Sequence, residues 1–215
     1  MRLVITGTSS GIGSATCAAL LAEGHEVFGL CRHPEKFAHD HPRYHPTPLD
    51  LSDLKRLPRR LKDLTATIGT PDSLVCNAGA GRFGELEQFS YAQISQLIDL
   101  NFTGHAFLVR AFLPLMKHAG RGRLIFVGSE AALKGSQKGA VYCASKFALR
   151  GFAQSLRAEC GRTGISVSLV NPGMVRSAFY SELGFAPSSD TESHLRPDDV
   201  AQAILHVLKS RPEAV

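Results

Sequence analysis

2-RLVITGTSSGIGSATCAALLAEG-24 joins a β-branched, apolar run directly to a glycine-rich turn that opens a helical pattern. In such a turn Gly7 permits the tight reversal, Gly11 lets backbone approach a ligand, and Gly13 allows the helix to pack closely on the strand. The free N–H groups and positive potential of the helix N-terminus suit a pyrophosphate, with Thr8, Ser9, Ser10 and Ile12 completing the turn. The spacing is G-x-x-x-G-x-G, not the commonest G-x-G-x-x-G, and no Gly-Lys-Ser/Thr follows as in a phosphate-transfer loop.

Outward from this turn, apolar runs alternate with longer helical patterns. Strands are predicted at 2–6, 26–31, 43–49, 73–77, 123–128 and 165–171. Helices are predicted near 12–23, 52–67, 91–118, 140–162 and 198–209. Strands that read as nearly continuous apolar runs are buried on both faces, which makes an α/β, doubly wound parallel sheet with helices on both faces. There are no repeats and no linker, so residues 1–215 are read as one domain. The segment 177–197 is too long for an ordinary connection and reads as a substrate loop over about 177–196.

Composition narrows the function. A chain of 215 residues with 44% hydrophobic and 20% charged residues fits a globular protein with a sizeable core. No apolar run approaches a membrane span, and the strand-like N-terminus lacks a signal-peptide core, so a cytoplasmic location without membrane association is expected. The five cysteines lack C-x-x-C spacing and sit in apolar contexts, which reads as reduced core thiols. His33, His39, His41 and His45 cluster in a Pro-rich connection without metal-site spacing, so no metal is expected. A net charge of +5 is dispersed, with local concentrations only at 55–62 and 121–123, which argues against nucleic acid and for a small anionic ligand.

Two further positions carry chemistry. The second strand ends in 30-LCRHP-34, without the carboxylate that would accept from adenosine ribose hydroxyls and repel a 2′-phosphate. Arg32 instead offers a planar charged fork suited to phosphate, so NADP(H) is preferred over NAD(H). In 141-VYCASKFALRGF-152, Tyr142 and Lys146 lie one turn apart on one face of a helix. An ammonium beside a phenol is expected to favour the phenolate.

T-G-x-x-x-G-I-G at 6–13, N-A-G at 77–79, Ser129, Y-x-x-x-K at 142–146 and N-P-G at 171–173 together resemble the short-chain dehydrogenase/reductase family, from Arg2 to about Ser177. The resemblance implies a Rossmann fold with strand order 3-2-1-4-5-6 and an NADP(H)-dependent oxidoreductase interconverting a carbonyl and an alcohol. It assigns Ser129, Tyr142, Lys146 and Asn101 to catalysis. Ser129 and Tyr142 hold the carbonyl oxygen, Tyr142 donates or removes the proton, and Lys146 tunes it and holds the nicotinamide ribose. Asn101 distorts a long helix and anchors a water leading to Lys146. Asp50, with Leu51 beside it, meets the adenine amino group, although Asp50 also reads as a helix N-terminal acid with Ser52 as the better cap. Asn77, Ala78 and Gly79 pack beside the cofactor. Pro172, Gly173, Val175 and Ser177 turn over the nicotinamide.

Two departures stand out. Ser10 replaces a basic residue before Gly11, leaving Arg32 to meet the 2′-phosphate largely alone. The chain also stops at Val215 just after its last helix, where relatives continue into a glycine-rich seventh strand, so that strand is expected to be missing or short. The resemblance implies a homodimer through the long helices, with a tetramer as the larger alternative. A rival reading is a non-catalytic NADP(H) sensor on the same fold. A nucleotide-sugar epimerase would share Y-x-x-x-K but needs a further domain. Substrate identity is not legible. Pocket candidates are 81–83, 133–138 and 179–194, and Phe179, Tyr180, Leu183 and Phe185 read equally as an apolar lid or as buried packing.

Overall fold

Alternate residues of the first strand face opposite sides of the sheet, and each side meets its own layer of helices. In the computed structural model, which describes residues 1–36, 40–181, 183–188 and 190–211, the sheet has the parallel order β3-β2-β1-β4-β5-β6. The strands are β1 (Arg2–Thr6), β2 (Glu26–Cys31), β3 (Tyr44–Pro48), β4 (Ser73–Cys76), β5 (Gly122–Val127) and β6 (Ile165–Val170). This is the expected doubly wound arrangement.

The helices are α1 (Gly11–Ala22), α2 (Leu57–Ile68), α3 (Tyr91–Ile98), α4 (Gly104–Ala119), α5 (Ala140–Cys160) and α6 (Pro197–Lys209). Val4, Leu74 and Leu124 face one core with Leu61 of α2, Phe112 of α4 and Leu149 of α5. Leu3, Ile5, Val75 and Ile125 face a second core with Leu20 of α1 and Ile204 of α6. The strand order reverses between β1 and β4, which places a crevice at the carboxyl ends of these strands, where ligands bind in open α/β sheets. All five cysteines are buried and free.

Two expectations need correction, and a third is refined. The helix expected from residue 52 begins at Leu57, because the preceding carboxylates hold local turns instead. Asp50 Oδ1 accepts from both the N–H and the hydroxyl of Ser52, at 2.8 and 2.7 Å, so Ser52 donates within a turn and caps nothing. The long helix expected over 91–118 is present and is distorted where the resemblance implied: α3 runs into α4 through a π-helical turn at Asp99–Thr103, with Asn101 fully buried in it. The segment after β6 is more structured than a bare loop. Val175 and Leu195 form a parallel bridge, and Leu195 N–H donates to the Met174 carbonyl at 2.8 Å, tying the two ends of the segment together.

Among the described residues the sheet has six strands, and no helix is long and apolar enough to cross a membrane. His39, one of the clustered histidines, lies outside the described residues, as do Glu182 and Ser189 of the substrate loop. The other three histidines have separate partners: His33 meets Glu35, His45 meets Glu26, and His41 accepts from the Arg43 N–H.

Candidate active site

A cleft of about 370 Å³ opens along the carboxyl ends of the central strands, and most of the residues singled out from the sequence line it. At one end Gly7 (φ 75°) and Gly11 (φ 55°) hold left-handed backbone, where a side chain would be strained. A side chain at Gly13 would run into the Gly7 carbonyl and Asn77 Nδ2, so this glycine sets the spacing between helix and strand. Ser10 sits at the N-cap of α1 in extended conformation and makes no side-chain cap, so its hydroxyl leaves the first-turn N–H groups unclaimed. Gly7, Ser9, Ser10, Gly11 and Ile12 line the cleft. An uncapped helix N-terminus on a glycine cradle fits the pyrophosphate of a dinucleotide.

Thr8 and Gly13 do not line the cleft. Thr8 is fully buried, its hydroxyl hydrogen-bonded to that of Tyr44 at 3.2 Å, and so it supports the turn from beneath. Arg32 is exposed and projects where the glycine-rich cleft meets a second depression that also contains Asp50, Arg56 and Arg60. Asp50 and Leu51 border the cleft, and Asp50 Oδ1 is occupied by Ser52.

Midway along, Asn77, Ala78 and Gly79 follow β4 and form the floor. Thr6 Oγ1 accepts from the N–H groups of both Asn77 and Ala78 at 2.9 Å, and Asn77 Nδ2 donates to the Thr6 carbonyl at 2.9 Å. A second clamp comes from the π turn. Asn101 Oδ1 accepts from Ala80 N–H at 2.9 Å, while its Nδ2 donates to the Ala80 carbonyl and to Ser145 Oγ, each at 3.0 Å. Asn101 itself lies behind the cleft wall.

Sequence reading passed over one residue here. His105, one turn after Asn101, is 1% exposed, and its Nε2 lies 2.7 Å from the Ala78 carbonyl. The carbonyl can only accept, so Nε2 carries the proton and Nδ1 is left with a buried lone pair. Burial, with Lys146 nearby, pushes this imidazole down to about 4. The i, i+4 spacing from Asn101 was the available signal.

At the far end stand Ser129, Tyr142 and Lys146. Ser129 follows β5, and Tyr142 and Lys146 project from α5, both 5–7% exposed. Ser129 Oγ accepts from the Ala131 N–H at 3.1 Å, and Ser129 and Tyr142 both line this end of the cleft. Lys146 Nζ donates to the Val127 carbonyl at 3.2 Å and lies 5.9 Å from the Tyr142 ring centroid. Burial pushes Tyr142 up to about 12, opposed by the neighbouring Ser129, and pushes Lys146 down to about 8. The expected lowering of Tyr142 by Lys146 is therefore outweighed: desolvation disfavours the phenolate and the ammonium alike. Pro172, Gly173, Val175 and Ser177 roof this end.

A protein-family model for short chain dehydrogenase matches residues 2–185. The chain belongs to the short-chain dehydrogenase family. It has the nucleotide-binding fold of that family. It is 34% identical over 201 residues to mouse 17-beta-hydroxysteroid dehydrogenase type 1, covering 88% of this chain and 58% of that one. It is 32% identical over 177 residues to 3-ketodihydrosphingosine reductase of Bacteroides thetaiotaomicron, covering 82% of this chain and 65% of the relative. The chain thus spans about three fifths of the length of these curated relatives. Among solved structures, the alcohol dehydrogenase of the archaeon Thermococcus sibiricus complexed with 5-hydroxy-NADP superposes with a TM-score of 0.86 at 27% identity, covering 98% of this chain and 91% of that one.

Proposed function

We propose that this short-chain dehydrogenase uses NADP(H) to interconvert a carbonyl and an alcohol on a small organic molecule, with Tyr142 as the acid/base. The observation that carries the reading is the convergence of Ser129, Tyr142 and buried Lys146 at one end of a cleft that begins at the glycine cradle. Bound in the cleft, NADP(H) would supply or take up the hydride. The Ser129 hydroxyl and Tyr142 phenol would hold the substrate oxygen between two hydrogen bonds. A phenol pushed up to about 12 is protonated at neutral pH, so Tyr142 is poised as the proton donor of a reduction. Lys146 would hold the nicotinamide ribose hydroxyls. The clamp of Asn101 and Thr6 would keep the 77–80 floor in place.

Arg32 would meet the 2′-phosphate. It makes no hydrogen bond or ion pair among the described residues, and it stands at the end of β2 without a carboxylate neighbour in 30–34. The NADP-type ligand of the archaeal alcohol dehydrogenase supports this choice over NAD(H). The names of the hydroxysteroid dehydrogenase and the ketodihydrosphingosine reductase support carbonyl–alcohol chemistry. Residues 1–215 act as one cytoplasmic catalytic domain, and two copies pair through α4 and α5.

The test is NADPH oxidation across a carbonyl panel, with wild type beside Tyr142→Phe. Turnover that Tyr142→Phe removes, with NADPH binding retained, supports the enzyme. Tight NADPH binding with no turnover of any carbonyl would favour the sensor.

A further inference from the structure

Around Ser129 the cleft is lined by the rings of Tyr142, Phe179 and Tyr180, with Lys146 as the charged neighbour and with Phe83 and Phe185 packed against these rings. The Tyr142 ring lies 5.1 Å from that of Phe83 and 6.0 Å from that of Phe179, centroid to centroid. Phe83 makes an edge-to-face contact with Phe185 at 5.0 Å, and Tyr180 joins Phe179 at 5.2 Å and Phe185 at 5.7 Å. Such pairs form in offset or edge-to-face geometry and gain from one another beyond simple burial. These rings come from three places in the chain: the 79–83 segment after β4, α5, which carries Tyr142, and the segment after β6.

Gly81 explains how they meet. A Cβ at this position would stand 2.5 and 2.8 Å from two Phe179 ring atoms and 3.1 Å from a Phe83 ring atom. The absence of a side chain therefore leaves a slot against the backbone, and an aromatic ring already occupies it. The slot opens beside Tyr142, so a carbonyl held by Tyr142 and Ser129 would direct its substituents toward it. Glu130, directly after Ser129, is exposed and stands beside Gly173 at the rim of the cleft. Its carboxylate is unpaired among the described residues and adds to the larger effect of burial in raising the phenols of Tyr142 and Tyr180. A negative charge there repels an anionic substrate.

We propose that the substrate is an uncharged carbonyl compound built on an apolar ring, an aryl or alicyclic ketone or its secondary alcohol, and that Gly81, Phe83 and Phe179 form its ring subsite while Glu130 excludes anionic carbonyl compounds. This rests on the carbonyl–alcohol reading above. Phe179 yields the slot to the substrate ring and then packs against it. The hydride and proton balance is that of the parent reaction: the carbonyl carbon would take up the hydride that NADPH supplies when bound, and Tyr142 would give its proton to the oxygen.

The experiment compares NADPH-dependent reduction of 2-tetralone, 2-butanone and 2-oxobutanoate by wild type, Gly81→Ala, Phe83→Ala and Glu130→Gln, each checked for folding by circular dichroism. Filling an apolar subsite is worth roughly tenfold to a hundredfold in kcat/KM. The expected wild-type order is therefore 2-tetralone, then 2-butanone, then 2-oxobutanoate. Gly81→Ala and Phe83→Ala should each shrink the ratio of 2-tetralone to 2-butanone to a few-fold, and Glu130→Gln should narrow the gap between 2-butanone and 2-oxobutanoate. Equal or faster turnover of 2-butanone, or a ratio untouched in both slot variants, would overturn the ring subsite. A gap unchanged in Glu130→Gln would remove the role of that carboxylate. If no carbonyl is reduced, calorimetry of 2-tetralone binding to NADPH-loaded protein separates the two readings. Binding weakened by Gly81→Ala keeps the subsite and sinks the chemistry; no binding sinks the subsite.

Discussion

Lys146 Nζ stands 5.9 Å from the centroid of the Tyr142 ring and gives a hydrogen bond to the Val127 carbonyl at 3.2 Å. The ammonium is thereby fixed between the proposed proton donor and the end of β5. Burial lowers its pKa to about 8, against an unfolded value near 10.5. The charge is present below about pH 8 and is lost above it. NADPH affinity should accordingly hold steady from pH 6 to 7.5 and fall by about tenfold toward pH 9.5, read by fluorescence titration.

The same residue has a stability signature. Below pH 8 the folded protein carries the cost of burying an ammonium, and that cost is relieved as pH rises from about 8 to 10.5. Lys146→Met should therefore stabilise the fold at pH 7, by an amount on the order of 3 kcal/mol, while weakening NADPH binding. Urea unfolding at pH 7 and pH 10 checks this; the gain should shrink at the higher pH.

Tyr142→Phe keeps the ring packed against Phe83 and Phe179 and removes only the hydroxyl. Loss of a positioned proton donor should cut kcat for reduction by about 10²–10⁴-fold. NADPH binding should stay within a few-fold of wild type. A variant as fast as wild type would remove Tyr142 from the chemistry.

Arg32→Ala tests cofactor choice. One charge-assisted contact to phosphate contributes about 1.5–3 kcal/mol, so NADPH affinity should fall by roughly 10- to 100-fold. NADH affinity should not change. Equal losses for both cofactors would assign Arg32 to the adenine end in general.

His105 makes the fold sensitive to acid. Its folded pKa of about 4 lies below the unfolded value near 6.5, so the unfolded chain binds more protons between these limits. Stability should be fully present above about pH 6.5 and should decline as pH falls toward 4. His105→Gln, whose amide can still donate to the Ala78 carbonyl, should flatten that decline in thermal melts at pH 7, 5.5 and 4.5. A melt profile identical to wild type would place the acid sensitivity elsewhere.

Much of this molecule was legible in order along the chain. Strand period, glycine spacing and the one-turn offset of Tyr142 and Lys146 are local properties, set within a few residues by backbone sterics and helix geometry. They led to the sheet, the cradle and the family. Helix boundaries were less legible: Asp50 and Asp53 hold turns that delay α2 to Leu57, whereas the π turn between α3 and α4 falls at Asn101, where the family resemblance implied a distortion.

What only the tertiary structure decided comes from contacts between distant segments. Thr8, expected in the cofactor cleft, is turned beneath it by Tyr44 of β3, a residue 36 positions away. Phe179 reaches the Gly81 slot across nearly a hundred residues, so the choice between lid and core packing could not be made from its neighbours in sequence. The sign of the Tyr142 shift is of the same kind. The sequence placed an ammonium one turn from a phenol, which by proximity favours the phenolate. Whether proximity or desolvation prevails depends on how much water the folded chain leaves around both groups, and here it leaves little.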